Sequence, residues 1–363
     1  MPGCIPQTRT GSHRRNPLAA SIFLGGFFFA TSLPASLYAE GPAIPRGVFS
    51  LAGVGEPADP SVLSDPDVDG ISVRYPWRKL EPSKGVYDWT FVDSEMARAA
   101  KAGKMAILRI LCEGPASPRW VFSEGVETFS YDNRNRFGQR KSGEIAVFWD
   151  PTYLKEKKAM IEAAGKHLSG NPALRVVAAI CASSHSGDWA VPHTRPDVDH
   201  WFSVGYTSDK LIDVCRQIID VTMQSYPNQC VTLAIGRNGR LDPDPDYVPR
   251  QAIRYARAHY PGRFIVQKNS LAANTEMPGS PKLKHFQLLW DSRPDVAGQM
   301  LWFSYGDPTC RNNGRRAPCD PEATLHRAID IGLAYGMKYI EIYQQDVLHL
   351  PAVIRYAHNA LTK

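Results

Sequence analysis

Eight short apolar runs recur along the sequence from about residue 45, and most are followed by a stretch with helical periodicity. The runs predict strands at 47–54, 70–75, 105–111, 175–181, 230–236, 263–267, 297–303 and 338–343. Between them, apolar residues recur at three- and four-residue spacing, as in Leu211, Val214 and Ile218, which indicates amphipathic helices. Eight strands that alternate with helices predict an α/β protein with a single (β/α)8 TIM barrel.

An open, doubly wound sheet is the alternative architecture for alternating strands and helices. Such sheets usually have fewer strands and often carry a glycine-rich phosphate turn. The sequence contains neither G-x-G-x-x-G nor G-x-x-x-x-G-K-[ST]. We therefore predict one barrel domain over residues 45–363, in which 122–146 and 242–246 are long loops and not domain boundaries.

The first 39 residues have the pattern of an export signal. A basic segment ends at Arg15, an apolar run follows over 18–30, and small residues lead to Ala39. A run this short, with two adjacent glycines inside it, favours cleavage after Ala39 over a retained membrane anchor. We expect a signal peptide over 1–39, an exported protein in the periplasm or outside the cell, and no stable membrane span after cleavage.

Charge and cysteine spacing limit the partners and cofactors that we expect. The formal net charge is +6 with no basic block, and three arginines lie in the leader, so no nucleic-acid partner is expected. No second close Cys or His pair accompanies Cys310 and Cys319, so no zinc site and no other cofactor is expected. In an exported protein these two cysteines should form a disulfide. Cys112 and Cys181 either pair or remain buried thiols.

The most informative motif is a polar segment that begins at the end of the second predicted strand. It consists of Arg74, Trp77, Leu80-Glu81-Pro82, Gly85 and Tyr87-Asp88-Trp89. The segment resembles the R-x-x-W-x-x-(I/L)-E-P-x-x-G-x-Y-D-(F/W) signature of (β/α)8-barrel glycoside hydrolases, especially the beta-galactosidase-like branch. The resemblance implies hydrolysis of a glycosidic bond in a carbohydrate substrate, and it implies that Arg74 contacts the catalytic carboxylate.

The sequence departs from that family at both positions where a catalytic glutamate is usual. The Asn-Glu pair expected after strand four is absent, and strand seven carries no glutamate. Gly187-Asp188-Trp189 resembles the Gly-Glu-Trp turn of some barrel relatives, with aspartate in place of glutamate. Asp188 is therefore our candidate proton donor, and the alternative is an aspartate that caps a loop.

Strand eight supplies the second candidate carboxylate. Glu341 lies between Ile340 and Ile342, which need the apolar helix layer, so Glu341 should face the barrel axis. A buried carboxylate needs a cation, and of the inward arginines we expect Arg74 to be the partner, with Arg109 as another. The ion pair is either catalytic, with Glu341 as nucleophile or base, or purely structural. Glu113 and Asp346 also end strands and are further carboxylate candidates.

Sugar sites need flat apolar surfaces and groups that hydrogen-bond to hydroxyls. Aromatic residues at strand ends or in nearby loops are candidate substrate-binding residues: Trp77, Trp120, Trp149, Trp189, Trp302, Tyr305 and Tyr343. Gln267, Lys268 and Asn269, at the end of strand six, are candidate hydroxyl partners. We predict an exported glycoside hydrolase that uses Asp188 and Glu341 at the C-terminal mouth of the barrel. The alternative is a carbohydrate-binding barrel without catalysis, because the standard carboxylates are missing.

Overall fold

All eight predicted strands pair into a closed parallel barrel in the computed structural model of the chain. The structure describes residues 42–112, 114–134, 140–184, 188–280, 286–317 and 319–363. The predicted signal peptide and Glu113 lie outside the described residues. The predicted (β/α)8 barrel is therefore confirmed, and the order of its strands places residues 47 and 343 on neighbouring strands.

Within the described residues the strands are β1 Gly47–Leu51, β2 Gly70–Pro76, β3 Met105–Leu111, β4 Thr128–Arg134, β5 Arg140–Ala146, β6 Leu174–Ala178, β7 Ala182–Ser183, β8 Trp189–Ala190, β9 Cys230–Ala234, β10 Phe264–Leu271, β11 Val296–Met300 and β12 Tyr339–Tyr343. The barrel runs in the order β1-β12-β11-β10-β9-β6-β3-β2, and β2 closes it against β1. The remaining four strands form two small sheets, β4 with β5 and β7 with β8.

Helices surround this barrel. They are α1 Pro60–Ser64, α2 Trp77–Leu80, α3 Thr90–Lys101, α4 Arg119–Ser123, α5 Pro151–Leu168, α6 Arg195–Ser203, α7 Ser208–Ser225, α8 Tyr247–His259, α9 Gln287–Trp290, α10 Pro321–Ala334, α11 Gln344–His349 and α12 Pro351–Leu361. Several begin at strong local signals. Asp150 accepts a hydrogen bond from the Tyr153 N–H at the start of α5, and Thr194 and Asp197 form a capping box on α6.

One predicted loop contains regular structure. The segment 122–146 includes the antiparallel hairpin of β4 and β5, in which Phe129 pairs with Ile145 and both side chains are buried. Phe129 stacks on Trp201 of α6 with ring centroids 3.7 Å apart, so the hairpin is an integral part of the core. The prediction of a long loop was wrong because apolar residues alternate here over only a few positions, which is a weak strand signal.

The barrel interior changes character from bottom to top. An apolar layer at the lower end holds Phe49, Ile107, Val176, Cys230, Ile265, Ala297 and Tyr339. Above it lies a layer of buried polar side chains that includes Ser72, Arg109, Gln267 and Glu341. A cavity opens above that layer, at the carboxyl ends of the strands, where active sites of such barrels form.

Cys310 and Cys319 form the predicted disulfide, with Cα atoms 5.4 Å apart. Cys112, Cys181, Cys215 and Cys230 are buried, and Cys112 and Cys181 do not form a disulfide with each other. Among the described residues no helix is long and apolar enough to cross a membrane.

Candidate active site

Glu341 lies in the centre of the barrel and is 0% exposed. Its Oε1 accepts hydrogen bonds from Arg109 Nη2 at 2.7 Å and Gln267 Nε2 at 2.8 Å. Its Oε2 accepts from Arg109 Nη1 and Ser72 Oγ, both at 2.8 Å. Tyr339 donates to Gln267 Oε1 at 2.8 Å and holds that amide in place. We call Ser72, Arg109, Gln267, Tyr339 and Glu341 the floor network, because they close the bottom of the cavity.

Arg109 links this floor to the cavity. Its two terminal nitrogens bind Glu341 in a bidentate pair, and its Nε donates to Asp188 Oδ2 at 3.0 Å. Burial alone would lower the pKa of Arg109, but the Glu341 and Asp188 carboxylates raise it above its usual value. The expected arginine partner of Glu341 was Arg74. Arg109 takes that place, whereas Arg74, its register neighbour on β2, donates to the Ala52 carbonyl and lines the cavity.

Asp188 stands at the wall of the cavity, after the fourth barrel strand. The residue is 2% exposed. Its Oδ2 accepts from Arg109 Nε and, at 3.4 Å, from Asn269 Nδ2. Neither bond uses Oδ1, which has no hydrogen-bond partner among the described residues. One oxygen of this carboxylate is therefore fixed by the protein while the other is available to a bound molecule.

The cavity has a volume of about 370 Å³ and is lined by both polar and apolar side chains. Seven of the predicted site residues line it: Arg74, Asp188, Trp189, Lys268, Asn269, Trp302 and Tyr343. The rings of Trp302 and Tyr343 have centroids 5.6 Å apart and form one aromatic wall. A flat apolar wall beside hydrogen-bonding groups is the surface that a sugar ring needs.

Trp189 forms part of the opposite wall and is held by two features. Its Nε1 donates to Asn238 Oδ1 at 3.0 Å. At Gly236, a Cβ would lie 2.6 Å from Trp189 Cδ1, so a side chain at this position would displace the ring. The ring is therefore preorganised at the cavity before any ligand binds.

The structure places the other predicted binding residues away from the cavity. Trp77 is 0% exposed and packs edge-on against Trp120, with ring centroids 5.9 Å apart. Trp149 packs on Trp201, at 5.5 Å between centroids. Tyr305 stacks on His349 at the surface. Gln267 belongs to the floor network and lies beneath the cavity together with Glu341.

Asp346, another candidate from the sequence, organises the segment that follows β11. Its carboxylate accepts hydrogen bonds from the Ser304 N–H and the Tyr305 N–H at 2.7–2.9 Å. Burial raises the pKa of Asp346 to about 6, although these backbone donors oppose the shift. Within the described ranges, no three His, Cys, Asp or Glu side chains converge as a set of metal ligands.

Two further cations line the cavity: Lys268, which the sequence predicted as a hydroxyl partner, and Arg311, which sequence reasoning missed. Lys268 stands between the predicted residues Gln267 and Asn269 on β10, and Arg311 lies in the loop that the disulfide closes. Lys268 was predicted from its position at the end of the strand and not from alternation, and the register of β10 shifts between Lys268 and Leu271. Arg311 carried no signal at all, since a loop has no periodicity from which the direction of a side chain can be predicted.

Comparisons with known proteins agree with this architecture. A family model described as Beta-galactosidase matches residues 59–179, about a third of the chain. Beta-galactosidase BgaH of Haloferax lucentense is 22% identical over 116 residues, which make up 31% of this chain and 17% of that protein. The residues matched by the family model include the motif from Arg74 to Trp89, so the resemblance to this branch is confirmed for that part of the chain.

Solved structures show the same fold at low sequence identity. The catalytic domain of beta-amylase from Paenibacillus polymyxa has a TM-score of 0.58 and 9% identity, with 87% of this chain and 98% of that chain covered. Beta-galactosidase from Marinomonas ef1 has a TM-score of 0.51 and 11% identity, with coverage of 82% and 53%. The Halorubrum lacusprofundi beta-galactosidase has a TM-score of 0.50 and 13% identity, with coverage of 81% and 52%. The chain thus spans about half the length of these beta-galactosidases.

Proposed function

We propose that this protein hydrolyses a glycosidic bond in a carbohydrate bound at the mouth of the barrel, and that it does so outside the cytoplasm. The observation that carries the proposal is the Asp188 carboxylate on the cavity wall, with Oδ2 fixed by Arg109 and Oδ1 without a partner among the described residues. The likeness to barrels of beta-galactosidases and a beta-amylase supports the same reaction class.

Asp188 is the group that we place next to the reacting atoms. As the partner of Arg109 in an ion pair, it is suited to accept a proton from an attacking water, a different role from the proton donor that the sequence suggested. The oxygen of that water bonds to the anomeric carbon, the glycosidic C–O bond breaks, and the proton passes through solvent to the leaving oxygen. Trp302 and Tyr343 would hold the sugar ring during this step.

Glu341 acts one step further from the substrate. Each of its oxygens accepts two hydrogen bonds from floor-network donors, and it is 0% exposed, so attack on a sugar carbon would first require that one oxygen lose both of its bonds. Its bidentate bond to Arg109 fixes the guanidinium whose Nε holds Asp188. We therefore assign Glu341 as a positioning residue that acts through Arg109.

Export is part of the proposal. The basic segment, apolar run and small residues that end at Ala39 support a cleaved leader. The Cys310–Cys319 disulfide supports an oxidising compartment, because such bonds are rare where thiols are kept reduced. Mass spectrometry of the mature protein from its native host tests both points, with an N-terminus at Glu40 and no free thiol at Cys310 as the expected result.

A second function is favoured by one observation. Glu341 is enclosed, so among the described residues Asp188 is the acid that lines the cavity, whereas glycoside hydrolysis usually employs two carboxylates. A barrel with this cavity and a single lining acid would bind a carbohydrate without cleaving it. The two functions share the ligand and differ only in the chemical step.

Measurement of the reducing ends released from a broad panel of oligosaccharides distinguishes hydrolysis from binding without cleavage. Under hydrolysis, Asp188→Asn lowers the rate about 10²–10⁴-fold and leaves sugar binding in place. Asp330→Asn, on the exposed side of α10, is the matched control and keeps the wild-type rate. If the wild type binds sugars and releases no reducing ends, the binding function replaces the hydrolase. If it neither binds nor cleaves any member of the panel, both are wrong.

A further inference from the structure

The cavity carries more positive charge than its carboxylates balance. Four cationic side chains line it, from Arg74, Arg109, Lys268 and Arg311, whereas Asp188 is the acid among the described lining residues. Arg109 is paired with Glu341 and Asp188. The other three form no ion pair with any described carboxylate. We call Arg74, Lys268 and Arg311 the cationic wall.

Arg311 lies beside the aromatic wall and contacts the Trp302 ring. Its guanidinium carbon lies 4.2 Å from the centre of the Trp302 ring, so the guanidinium is held over an aromatic face. Its Nε is buried and has no hydrogen-bond partner among the described residues. The backbone on its N-terminal side is held, because the Arg311 N–H donates to Asp307 Oδ2 at 2.8 Å and the neighbouring Cys310 is disulfide-bonded. The head group is thus both oriented and unsatisfied.

Arg74 also has a buried guanidinium nitrogen without a hydrogen-bond partner among the described residues. Its Nη2 donates to the carbonyl of Ala52, while its Nε is buried without a partner in the described chain. Burial lowers the pKa of Arg74 below its usual value, although Tyr343 and Glu341 oppose that shift. A buried guanidinium nitrogen without an acceptor is costly, and a ligand oxygen is the acceptor that the cavity can admit.

Lys268 adds a third cation at this cavity. Its ammonium donates to the Ile235 carbonyl at 3.1 Å, and this is its hydrogen bond to the described residues. Burial lowers the pKa of Lys268 to about 8, with Asp246 opposing the shift and Arg237 adding to it. An ammonium in such a position gains from an anion more than a solvated lysine would, because it has already lost much of its water.

We propose that the sugar unit bound in this cavity carries a negatively charged group, a carboxylate or a sulfate, which the cationic wall holds while Trp302 and Tyr343 pack against the ring. The inference rests on the proposed function and names its substrate class. Arginine presents its N–H groups in a planar fork that matches carboxylate and sulfate oxygens. A neutral sugar would leave buried cationic donors unpaired, and such sites discriminate strongly against ligands that lack the matching group.

Glycan-array binding tests the inference without requiring hydrolysis. Labelled Asp188→Asn protein is applied to neutral, uronate-containing and sulfated oligosaccharides of matched backbone. We expect binding to the acidic glycans, and the uronate and sulfate arms show which anion is preferred. Arg74→Gln and Arg311→Gln, each introduced into that protein, should weaken binding to the acidic glycans about 10–100-fold, as expected for loss of a hydrogen bond to a charged group.

Two controls make the result decisive. Arg316→Gln removes a positive charge from the same disulfide loop without touching this cavity, and it should leave the affinity unchanged. Arg311→Lys keeps the charge and should retain part of the affinity. Binding to neutral glycans with equal or greater affinity overturns the inference and leaves the proposed hydrolase standing. Absence of binding to any glycan overturns both. If Arg316→Gln and Arg311→Gln lose affinity for acidic glycans equally, overall charge explains the preference, and the role assigned to the cationic wall is overturned.

Discussion

The floor network and the cationic wall contain the same kinds of charged group in opposite electrostatic situations. In the floor, the Arg109 guanidinium meets two carboxylates, and every acceptor site of Glu341 that faces the interior is used. In the wall, Arg74 and Arg311 each keep a buried Nε without an acceptor among the described residues. Arg109 of the floor lines the same cavity as the three residues of the wall.

The difference shows what each region can do. A buried pair with all its hydrogen bonds formed stabilises one arrangement of the barrel interior, and removal of one partner leaves an uncompensated charge. Unpaired cations at an open cavity do little for the folded state and gain energy only when a ligand supplies the missing acceptors. Substitutions in the floor should therefore affect stability, and substitutions in the wall should affect binding.

The largest expected effect on stability follows from Arg109→Met. It leaves Glu341 and Asp188 buried without their cation, and we expect the free energy of unfolding at neutral pH to fall by about 3–5 kcal/mol. Urea unfolding gives this value. Arg311→Met is the matched substitution in the wall and should change the same quantity by less than about 0.5 kcal/mol. Equal losses in the two variants would remove the distinction between floor and wall.

An amide pair provides a second comparison with a smaller effect. Gln267 is 0% exposed and donates to both Glu341 and Asn269, so Gln267→Leu should cost about 1–3 kcal/mol of unfolding free energy. Asn269 lies two residues further along β10 at the cavity, and Asn269→Leu should cost less and weaken sugar binding instead. A larger stability loss for Asn269→Leu would contradict this division.

The pH dependence of Lys268 gives the smallest expected effect. Its folded-state pKa, lowered by burial to about 8, lies below the unfolded value of 10.5, so the cost of burying the charged amine is fully present below pH 8. That cost disappears as the pH rises from about 8 toward 10.5, which adds stability over this range. The difference in unfolding free energy between wild type and Lys268→Met should therefore shift in favour of the wild type across this window.

As the pH rises, the affinity for an acidic sugar should change in the direction opposite to the stability. Deprotonation removes a charge from the cationic wall, so affinity for an acidic sugar should decline above pH 8 in the wild type. In Lys268→Met the affinity should be lower at neutral pH and should lose this dependence. Lys155→Met, on the exposed face of α5, is the control and should follow the wild type. A wild-type affinity that stays constant from pH 7 to 10 would remove Lys268 from the wall.

Much of the fold could be predicted from the sequence, because the hydrophobic pattern of a parallel barrel is local. Each of the eight apolar runs fixes a strand without knowledge of its neighbours. The inward direction of Glu341 also followed from local alternation between Ile340 and Ile342. The hairpin over 128–146 was missed because its stability depends on packing against Trp201, which is distant in the sequence.

The site was harder to predict because it depends on which side chains meet across the barrel. Alternation places both Arg74 and Arg109 inside, on register-paired positions, and does not say which one reaches Glu341. Trp77 belongs to the motif that resembles known hydrolases, yet it packs on Trp120 instead of lining the cavity. Arg311 is brought to the mouth by a loop closed by a disulfide, and no strand or helix pattern records that position.

Glu341→Gln tests the central claim most directly. A residue of the floor network and a residue at the reacting atoms would respond differently to this substitution. The substitution keeps the size of the side chain and removes the charge that Arg109 requires. We expect the free energy of unfolding, measured in urea, to fall by about 3–5 kcal/mol while the protein that remains folded still binds sugar. Unchanged stability together with lost hydrolysis would contradict the account, since it would place Glu341 at the reacting atoms instead of in the floor.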